Sequence, residues 1–297
     1  MLEKLSFTDG VNSMNQTAST IFLEENGYFL EIYLDPYNKR IRVDDYRGNT
    51  KMLIERAEEL AVKHKAEKLI VKVRSEDFIS FLEKGLQPEA VVDRYFLGSD
   101  AHFFSKYYTS DRKKNDHWVI EDGMVNSIYQ LDTSIQKGYP PKEYELRKVD
   151  EGSAVELAVL YRQVFQIYPT PLHEPEYLIK TIKDGTIYYA FFLQGKIVSA
   201  ASAEVNSFYK NAELTDCATL SEHRKYGLMK IILQELEGEL KRKGIFCAYS
   251  IARSLSFGMN AVLFQLGYSY RGRLMNNCFI YDKLENMNMW VKNLANC

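Results

Sequence analysis

The sequence predicts a mixed α/β fold in which short strands and amphipathic helices follow one another along most of the chain. Apolar residues recur at helical spacing in several segments, and runs of strand length lie between them. Turns containing glycine or proline separate these segments. The composition, 46 % hydrophobic and 26 % charged residues over 297 positions, is that of a globular protein with room for two cores.

The first half of the chain begins with a predicted β-meander. Apolar and polar residues alternate over residues 22–43, around the turns Glu25-Asn-Gly27 and Asp35-Pro-Tyr-Asn38. The pattern then predicts a helix, a strand, a helix and two strands, at residues 52–64, 69–73, 77–84, 90–97 and 102–108.

A charged connector and a turn-rich break divide the chain. Residues 110–116 are almost entirely polar, and a linking helix is predicted over residues 118–136. The sequence Gly138-Tyr-Pro-Pro141 then interrupts any regular element. We therefore predict an N-terminal α/β region of residues 1–137 and a second domain of residues 138–297.

The second half alternates helices and strands more regularly. The predicted elements are a strand, two helices, a hairpin about Gln194-Gly195 and a further strand, at residues 144–148, 152–166, 176–183, 187–193, 196–205 and 212–220. The next helix places five apolar side chains on one face and ends at a glycine: Met229, Ile232, Leu233, Leu236, Leu240 and Gly244. A strand, a helix and a last strand follow at residues 245–251, 256–266 and 269–281.

The junction between the strand ending at residue 220 and the helix after it carries the most informative motif. The sequence Arg224-Lys-Tyr-Gly227-Leu-Met229 turns the chain just where a helix dipole begins, and backbone N–H groups there can hold a diphosphate. The alternative is a glycine that serves only the turn conformation. Neither the P-loop pattern nor the dinucleotide-binding glycine pattern occurs in the chain.

This stretch resembles the acyl-CoA signature of the GNAT N-acetyltransferase superfamily, Gln/Arg-x-x-Gly-x-Gly/Ala. Arg224 and Gly227 fill two of its three fixed places, and Met229 departs from the third. The order of elements over about residues 144–285 is also that of the GNAT fold. The resemblance implies an acetyl-CoA co-substrate, no metal, and a binding loop formed by Thr219, Leu220, Arg224, Lys225, Tyr226, Gly227, Leu228 and Met229.

The resemblance also implies a catalytic carboxylate. Many members carry a glutamate eleven residues before the first fixed place of the motif, and Glu213 holds that position here. Strand alternation predicts Glu213, Thr215, Cys217 and Thr219 on one face and Asp216 on the other. The alternative for Glu213 is a solvent-facing glutamate at a strand end.

The general acid is less clear from the sequence. Many members place a proton-donating tyrosine where this chain has Leu263. Because leucine cannot donate a proton, either another group protonates the thiolate or the thiolate leaves without assistance. Tyr249 and Tyr268 are nearby in sequence, but aromatic packing accounts for both equally well.

Residues 250–268, together with the long N-terminal region, resemble the β-lysine N-acetyltransferase family. That resemblance implies acetylation of the terminal amine of β-lysine to give N6-acetyl-β-lysine, a compatible solute. Arg253 would bind the acceptor carboxylate, and Glu204 and Asp216 are candidates for a second ammonium. The alternatives are another amine, such as a polyamine or a protein N-terminus, and a non-catalytic acyl-CoA sensor.

A weaker internal echo appears in the first half. Residues 46–52, with the helix, strand and Gly85 that follow, parallel residues 223–267, which predicts either a degenerate half-GNAT unit or a chance likeness. Thr50 stands where the loop needs glycine, so we expect no second CoA site there.

Bulk properties limit the remaining partners. A net charge of −2 argues against nucleic acid, and the longest apolar runs are too short to span a bilayer. The N-terminus has no secretory signal pattern, and the cysteines are scattered: Cys217, Cys247, Cys278 and Cys297. We expect a cytoplasmic monomer or homodimer that acts on a small diamino acid, without membrane contact.

Overall fold

The computed structural model describes residues 18–132, 140–165, 170–280 and 283–296. Across these residues, thirteen strands form one mixed sheet. The strands are β1 (Ser19–Glu25), β2 (Tyr28–Asp35), β3 (Arg40–Gly48), β4 (Lys68–Arg74), β5 (Gln87–Phe96), β6 (Ser99–Tyr107), β7 (Tyr144–Lys148), β8 (Ile187–Leu193), β9 (Lys196–Asn206), β10 (Asn211–Thr219), β11 (Cys247–Arg253), β12 (Ser269–Ile280) and β13 (Lys283–Asn293).

Eight α-helices in the same residues cover the sheet. They are α1 (Thr50–Lys63), α2 (Phe78–Glu83), α3 (Ser110–Lys113), α4 (Trp118–Tyr129), α5 (Ala154–Val164), α6 (Pro175–Lys183), α7 (Leu228–Arg242) and α8 (Phe257–Gln265). Helix α7 buries the apolar face that the sequence predicts and ends before Gly244, whose φ of +68° suits a left-handed cap. Each predicted strand and helix in the described residues forms, with ends shifted by a few positions.

The strand order reveals an internal duplication. The sheet runs β1-β2-β3-β4-β6-β5-β12-β13-β11-β10-β9-β8-β7, so that six strands of each half follow the same order outward from the β5–β12 junction. In each half the third and fourth strands are the parallel pair, β3 with β4 and β10 with β11. The helices repeat as well, since α1 and α7 join those parallel pairs. The second half adds β7, α5 and α6 at its outer side.

The two halves meet edge to edge at a close backbone approach. Gly272 of β12 pairs with Ala90 of β5, and its φ is +119°. A Cβ at this position would lie 2.3 Å from the carbonyl oxygen of Glu89, so only glycine fits. The buried Lys68 strengthens the junction by donating to Glu89 Oε2 at 2.7 Å and to the Met275 carbonyl at 2.6 Å.

The inner faces of the two half-sheets also meet face to face. One apolar cluster combines Ile70, Val92 and Phe103 of the first half with Tyr249 and Met289 of the second. The helices α1 and α7 lie on the opposite, outer faces, each over its own core. The fold therefore encloses a cleft between β3 and β4 on one side and β9 to β11 on the other.

Polar contacts fix the halves in this arrangement. The Tyr209 hydroxyl donates to Asp45 Oδ2 at 2.7 Å, and Asn211 Nδ2 donates to the Tyr95 carbonyl at 2.9 Å. Both contacts are buried, where an unpaired polar group would be costly. The relative position of the two inner faces is thus determined by specific bonds as well as by apolar packing.

Three details differ from the sequence prediction or lie beyond it. The linking helix ends at Tyr129, and the predicted boundary between residues 137 and 138 falls outside the described residues. Strand β13 was not predicted at all. None of the helices in the described part of the chain is both long and apolar enough to cross a membrane.

Candidate active site

The predicted anion cradle forms at the start of α7. Residues Ser221–Tyr226 make a 3-10 turn after β10, and Gly227 adopts φ +66° immediately before the helix. No side chain caps this helix, and its first turn contains no acidic residue. The backbone N–H groups at this helix start therefore lack a side-chain cap, and the positive end of a fifteen-residue helix dipole lies behind them.

Basic side chains surround the cradle. Arg224 and Lys225 are exposed, and Arg224 Nε donates to the Thr219 carbonyl at 3.2 Å, which holds the turn against the strand end. Space beside Gly227 is open, since a Cβ there would meet no atom within 4 Å. Leu228 is buried, so its backbone rather than its side chain is available to a ligand. A bound diphosphate fits this charge and this geometry.

A cavity begins where the parallel strands β10 and β11 separate. They pair only over three positions, from Asn211 with Cys247 to Glu213 with Tyr249. Beyond that point a cavity of about 580 Å³ opens between them and reaches Gly227 and α8. Ser250 Oγ donates to the Leu214 carbonyl at 2.7 Å across the gap. The separation exposes the backbone of β10 to a ligand that extends from the cradle.

A β-bulge interrupts β10 inside this cavity. Thr215 pairs with Ser202 and Ala218 with Ala200, so β10 has one residue more than β9 between these pairs. Asp216 takes up the difference with φ +52°. Ser202, which faces the same side as its partner Thr215, donates to Asp216 Oδ2 at 2.7 Å.

The bulge overturns one detail of the sequence prediction. Regular alternation placed Asp216 on the face opposite Glu213, but the extra residue turns the Asp216 carboxylate to the Glu213 face. Cys217 and Thr219 are turned to the opposite face, where Cys217 packs with the core below α7 and Thr219 pairs with Ser199. Glu213, Asp216 and Glu204 therefore share one face of the sheet, and the alternation rule failed because it assumes an unbroken strand.

Glu204 and Glu213 stand directly opposite each other on β9 and β10. The side chain of Glu204 is accessible to solvent, yet protein surrounds it on most sides. It therefore faces a cleft rather than the outer surface of the protein. Burial, with the charges of Glu213 and Asp216, raises the pKa of Glu204 to about 8. Burial also raises the pKa of Glu213, against the opposing charges of Arg42 and Lys72.

The first half of the chain supplies the opposite wall of the cleft. Arg42 on β3 donates from Nε and Nη2 to the two oxygens of Asp44, at 2.6 and 3.0 Å. Lys72 on β4 contacts Asp44 Oδ1 at 2.7 Å and donates to the Tyr95 hydroxyl at 2.9 Å. Burial opposes ionisation of Asp44, but these two cations hold its pKa well below the usual range.

Sequence reasoning missed these three residues. Arg42, Asp44 and Lys72 occupy alternate or apolar-flanked positions in strands, where charged side chains normally face solvent. Their significance depends on the two half-sheets meeting face to face, and only the internal echo hinted at that. For these three residues the sequence offers one local signal, which is the charged Lys72 within the apolar strand β4.

The candidate acids take different places. Tyr249 lies beside Glu213 in register and hydrogen bonds to it, and burial raises its pKa well above the ordinary value. Tyr268 is buried with Lys292 over its ring and does not line the cavity. Leu263 is buried in the core under α8. No tyrosine is among the described residues that line the cavity.

Arg253 lies at the rim of the cavity, at the end of β11. Its Nε and Nη2 atoms each lie 2.5 Å from one carboxylate oxygen of Glu285, which makes a two-pronged ion pair. In this conformation much of the guanidinium edge is occupied by a carboxylate of the chain itself. The predicted role of Arg253 in binding an acceptor carboxylate stays a prediction.

The known proteins that this chain resembles are acetyltransferases. A model of the Acetyltransferase (GNAT) family matches residues 155–261. N-acetyltransferase YodP of Bacillus subtilis is 38 % identical over 260 residues, which cover 88 % of this chain and 94 % of that protein. Beta-lysine N(6)-acetyltransferases of Methanosarcina mazei and Methanococcus maripaludis are 34 % and 31 % identical, over 71 % and 88 % of this chain and 85 % and 95 % of those proteins.

The matched family and the relatives define the class of this protein as an acyltransferase. The chain belongs to the GNAT acetyltransferase family and is an N-acetyltransferase. The α/β class and the GNAT fold predicted from Arg224, Gly227 and the order of elements are confirmed.

Proposed function

We propose that this enzyme transfers the acetyl group of acetyl-CoA to the terminal amine of β-lysine, giving N6-acetyl-β-lysine. The observation that carries the proposal is the charged cleft between the two halves. Three carboxylates line one wall, Glu204, Glu213 and Asp216, and the cleft meets the cavity between β10 and β11 at Asp216. An acceptor with two ammonium groups complements that wall.

Acetyl-CoA supplies the thioester, and the loop residues would hold it. The N–H groups from Gly227 to Met229 and the charges of Arg224 and Lys225 would bind the diphosphate. Thr219, Leu220 and Tyr226 would border the same ligand. The acyl end would extend into the cavity between β10 and β11, and a backbone N–H near Cys217 to Thr219 would stabilise the oxyanion.

Glu213 would act as the base, directly or through one water. The acceptor ammonium gives one proton to the carboxylate, and the free amine attacks the thioester carbon. The C–S bond breaks as the thiolate leaves, and the nitrogen releases its second proton to water to give the amide. Burial raises the pKa of Glu213, which makes it a stronger base than an exposed glutamate. No tyrosine among the described residues lines the cavity, so the thiolate leaves unassisted or takes a proton from another donor.

A diamino acid is favoured over a monoamine by the number of carboxylates. Glu204 and Asp216 would face a second ammonium when Glu213 serves the reacting amine. The relatives named beta-lysine N(6)-acetyltransferase point to the same acceptor. A cytoplasmic enzyme with this activity would make a compatible solute.

The position of the new amide tests the proposal. The purified enzyme is incubated with acetyl-CoA and β-lysine, and the product is fragmented by mass spectrometry. We expect one acetyl group on the terminal nitrogen and one free thiol released per acetyl transferred. Acetylation of the other nitrogen, or thiol release without an acetylated amine, would argue against this function.

A further inference from the structure

We propose that Arg42, on the N-terminal half, receives the carboxylate of the acceptor and is a specificity-determining residue. The duplicated half would then contribute directly to substrate recognition. This inference rests on the proposed function, because it assigns one residue to one group of the amino acid acceptor.

Arg42 is placed for this role on the inner face of β3. Its guanidinium lies over the Tyr33 ring at 5.0 Å and is held flat by the two bonds to Asp44. Within the described residues Arg42 makes no other hydrogen bond, so Nη1 stays available. The side chain retains 26 % exposure, although protein surrounds it, and so it opens to the cleft.

Contacts bring Arg42 to the same cleft as the carboxylates. Asp44 joins Arg42 to Lys72, and Lys72 donates to Tyr95. The Tyr95 ring lies 5.9 Å from that of Tyr249, which is the register neighbour of Glu213. The opposite wall therefore presents an anchored cation to a molecule that reaches across from Glu213.

Other cations near the cleft are already engaged. Arg40 is held by Asp35 Oδ2 at 2.8 Å and by the Asn277 carbonyl, and Arg74 is held by Asp45 at 2.7 Å. Arg253 is paired with Glu285. Lys72 is committed to Asp44 and Tyr95. Arg42 has the same two-pronged pairing as Arg253, but it lies on the wall opposite Glu213, where its Nη1 can meet a carboxylate.

The placement of the charges on the two walls fits an acceptor with one carboxylate and two ammonium groups. Four cleft carboxylates, Asp44, Glu204, Glu213 and Asp216, face two cations, Arg42 and Lys72. A plain diamine would leave Arg42 unused. A diamino acid places its carboxylate at Arg42 while its ammonium groups meet the carboxylates of β9 and β10.

The test compares acceptors that differ only by the carboxylate. Wild type, R42Q and R253Q, which removes the other candidate for the acceptor carboxylate, are assayed with β-lysine against 1,4-diaminopentane and with lysine against cadaverine. In R42Q we expect KM for the amino acid that is turned over to rise about 10- to 100-fold, as loss of a charged hydrogen bond predicts. KM for the matching amine should change less than about threefold, and R253Q should keep the wild-type ratio.

The outcomes separate this inference from the proposed function. Equal losses on both members of a pair in R42Q, or a carboxylate-selective loss in R253Q instead, would overturn the role of Arg42. If β-lysine is not acetylated, the proposed function fails, and the lysine–cadaverine pair decides the role of Arg42. If R42Q lacks a cooperative melting transition, the wild-type enzyme decides. A wild-type kcat/KM for each amine equal to that for the matching amino acid would exclude a carboxylate site.

Discussion

Glu204 and Glu213 form a pair of facing carboxyl groups, and their surroundings assign them different states. Two ionised carboxylates on neighbouring strands repel each other, and burial strengthens that repulsion. Arg42 and Lys72 stabilise the charge on Glu213, whereas the pKa of Glu204 rises to about 8. Without an acceptor, Glu204 therefore holds a proton at neutral pH, and an ammonium group bound beside it would favour its charged form.

Glu213→Gln tests the base. The substitution keeps the shape of the side chain but removes its proton-accepting oxygen, so kcat at neutral pH should fall on the order of 10²- to 10⁴-fold. Activity should recover as pH rises, because the amine, with a pKa of roughly 10 in water, then loses its proton unaided. Initial rates between pH 7 and pH 10 measure both effects.

The control for this variant is CoA binding. Since Glu213 does not line the cavity beside the cradle, calorimetric affinity for CoA should equal that of the wild type. A Gln variant with wild-type kcat at neutral pH would show that Glu213 is a strand-end glutamate without catalytic function.

Glu204→Gln should change how stability depends on pH. The unfolded chain ionises this group near pH 4.5, whereas the folded protein keeps the proton until about pH 8. Glu204 therefore stabilises the fold fully below pH 4.5, and that contribution is lost as pH rises through 8. Chemical unfolding of both proteins at pH 5 and pH 8.5 measures this change. The free energy of unfolding of the variant, relative to that of the wild type, should be higher at pH 8.5 than at pH 5. Parallel profiles would contradict the raised pKa.

At the scale of elements, β10 shows what a sequence pattern can and cannot predict. Its position followed from an apolar run, whereas its motif and the role predicted for Glu213 came from the resemblance to the GNAT superfamily. The bulge at Asp216 did not, because a left-handed aspartate in a strand has no local signature and the register of β9 is a tertiary property.

Strand β13 escaped prediction for a related reason. Asn286 and Asn288 interrupt its apolar pattern, yet both are buried. Asn286 donates to Glu121 of α4, and Asn288 donates to Asn260 of α8. Buried amides are stable only when such partners exist, and the partners come from distant parts of the chain.

Gly227→Asp tests the cradle, and Gly227→Asn is its matched control. Both residues tolerate the left-handed conformation better than other side chains, so the two variants differ mainly by one negative charge. The aspartate should reduce CoA affinity far more than the asparagine, because its charge repels the diphosphate at the helix start. Calorimetric titration with CoA measures the difference. Equal affinities in the two variants would count against diphosphate binding here.

The first half offers a natural comparison for this site. In α1 the side chain of Asn49 accepts from the Met52 N–H, and Asp77 bonds to Thr50 at the helix start. A helix start does not favour a bound anion when a side chain already caps it and a carboxylate lies beside it. The absence of a second CoA site stays a prediction, and these contacts support it.

At the scale of the molecule, the duplicated strand order explains how one chain builds a two-walled cleft. The sequence indicated the repeat only faintly, since α1–β4–α2 and α7–β11–α8 share little beyond their order. We propose that the N-terminal half is a degenerate GNAT-like unit that now shapes the acceptor cleft.

Gly272→Ala tests the junction between the halves, with Gly238→Ala as control. The new Cβ at position 272 would lie 2.3 Å from a backbone oxygen, so we expect a loss of about 1–3 kcal/mol in the free energy of unfolding, or more. At Gly238, inside α7, the nearest contact would be an ordinary 3.6 Å, and alanine should stabilise the helix slightly. Thermal unfolding compares them. A junction variant as stable as the wild type would mean that the halves need not meet there.

The central claim is that the cleft selects a small diamino acid for N-acetylation. The most direct measurement is kcat/KM with saturating acetyl-CoA for β-lysine, α-lysine, spermidine and a peptide with a free N-terminus. We predict the highest value for β-lysine, because it matches both the carboxylates of β9 and β10 and the cation on β3. A higher kcat/KM for spermidine or the peptide would contradict the account.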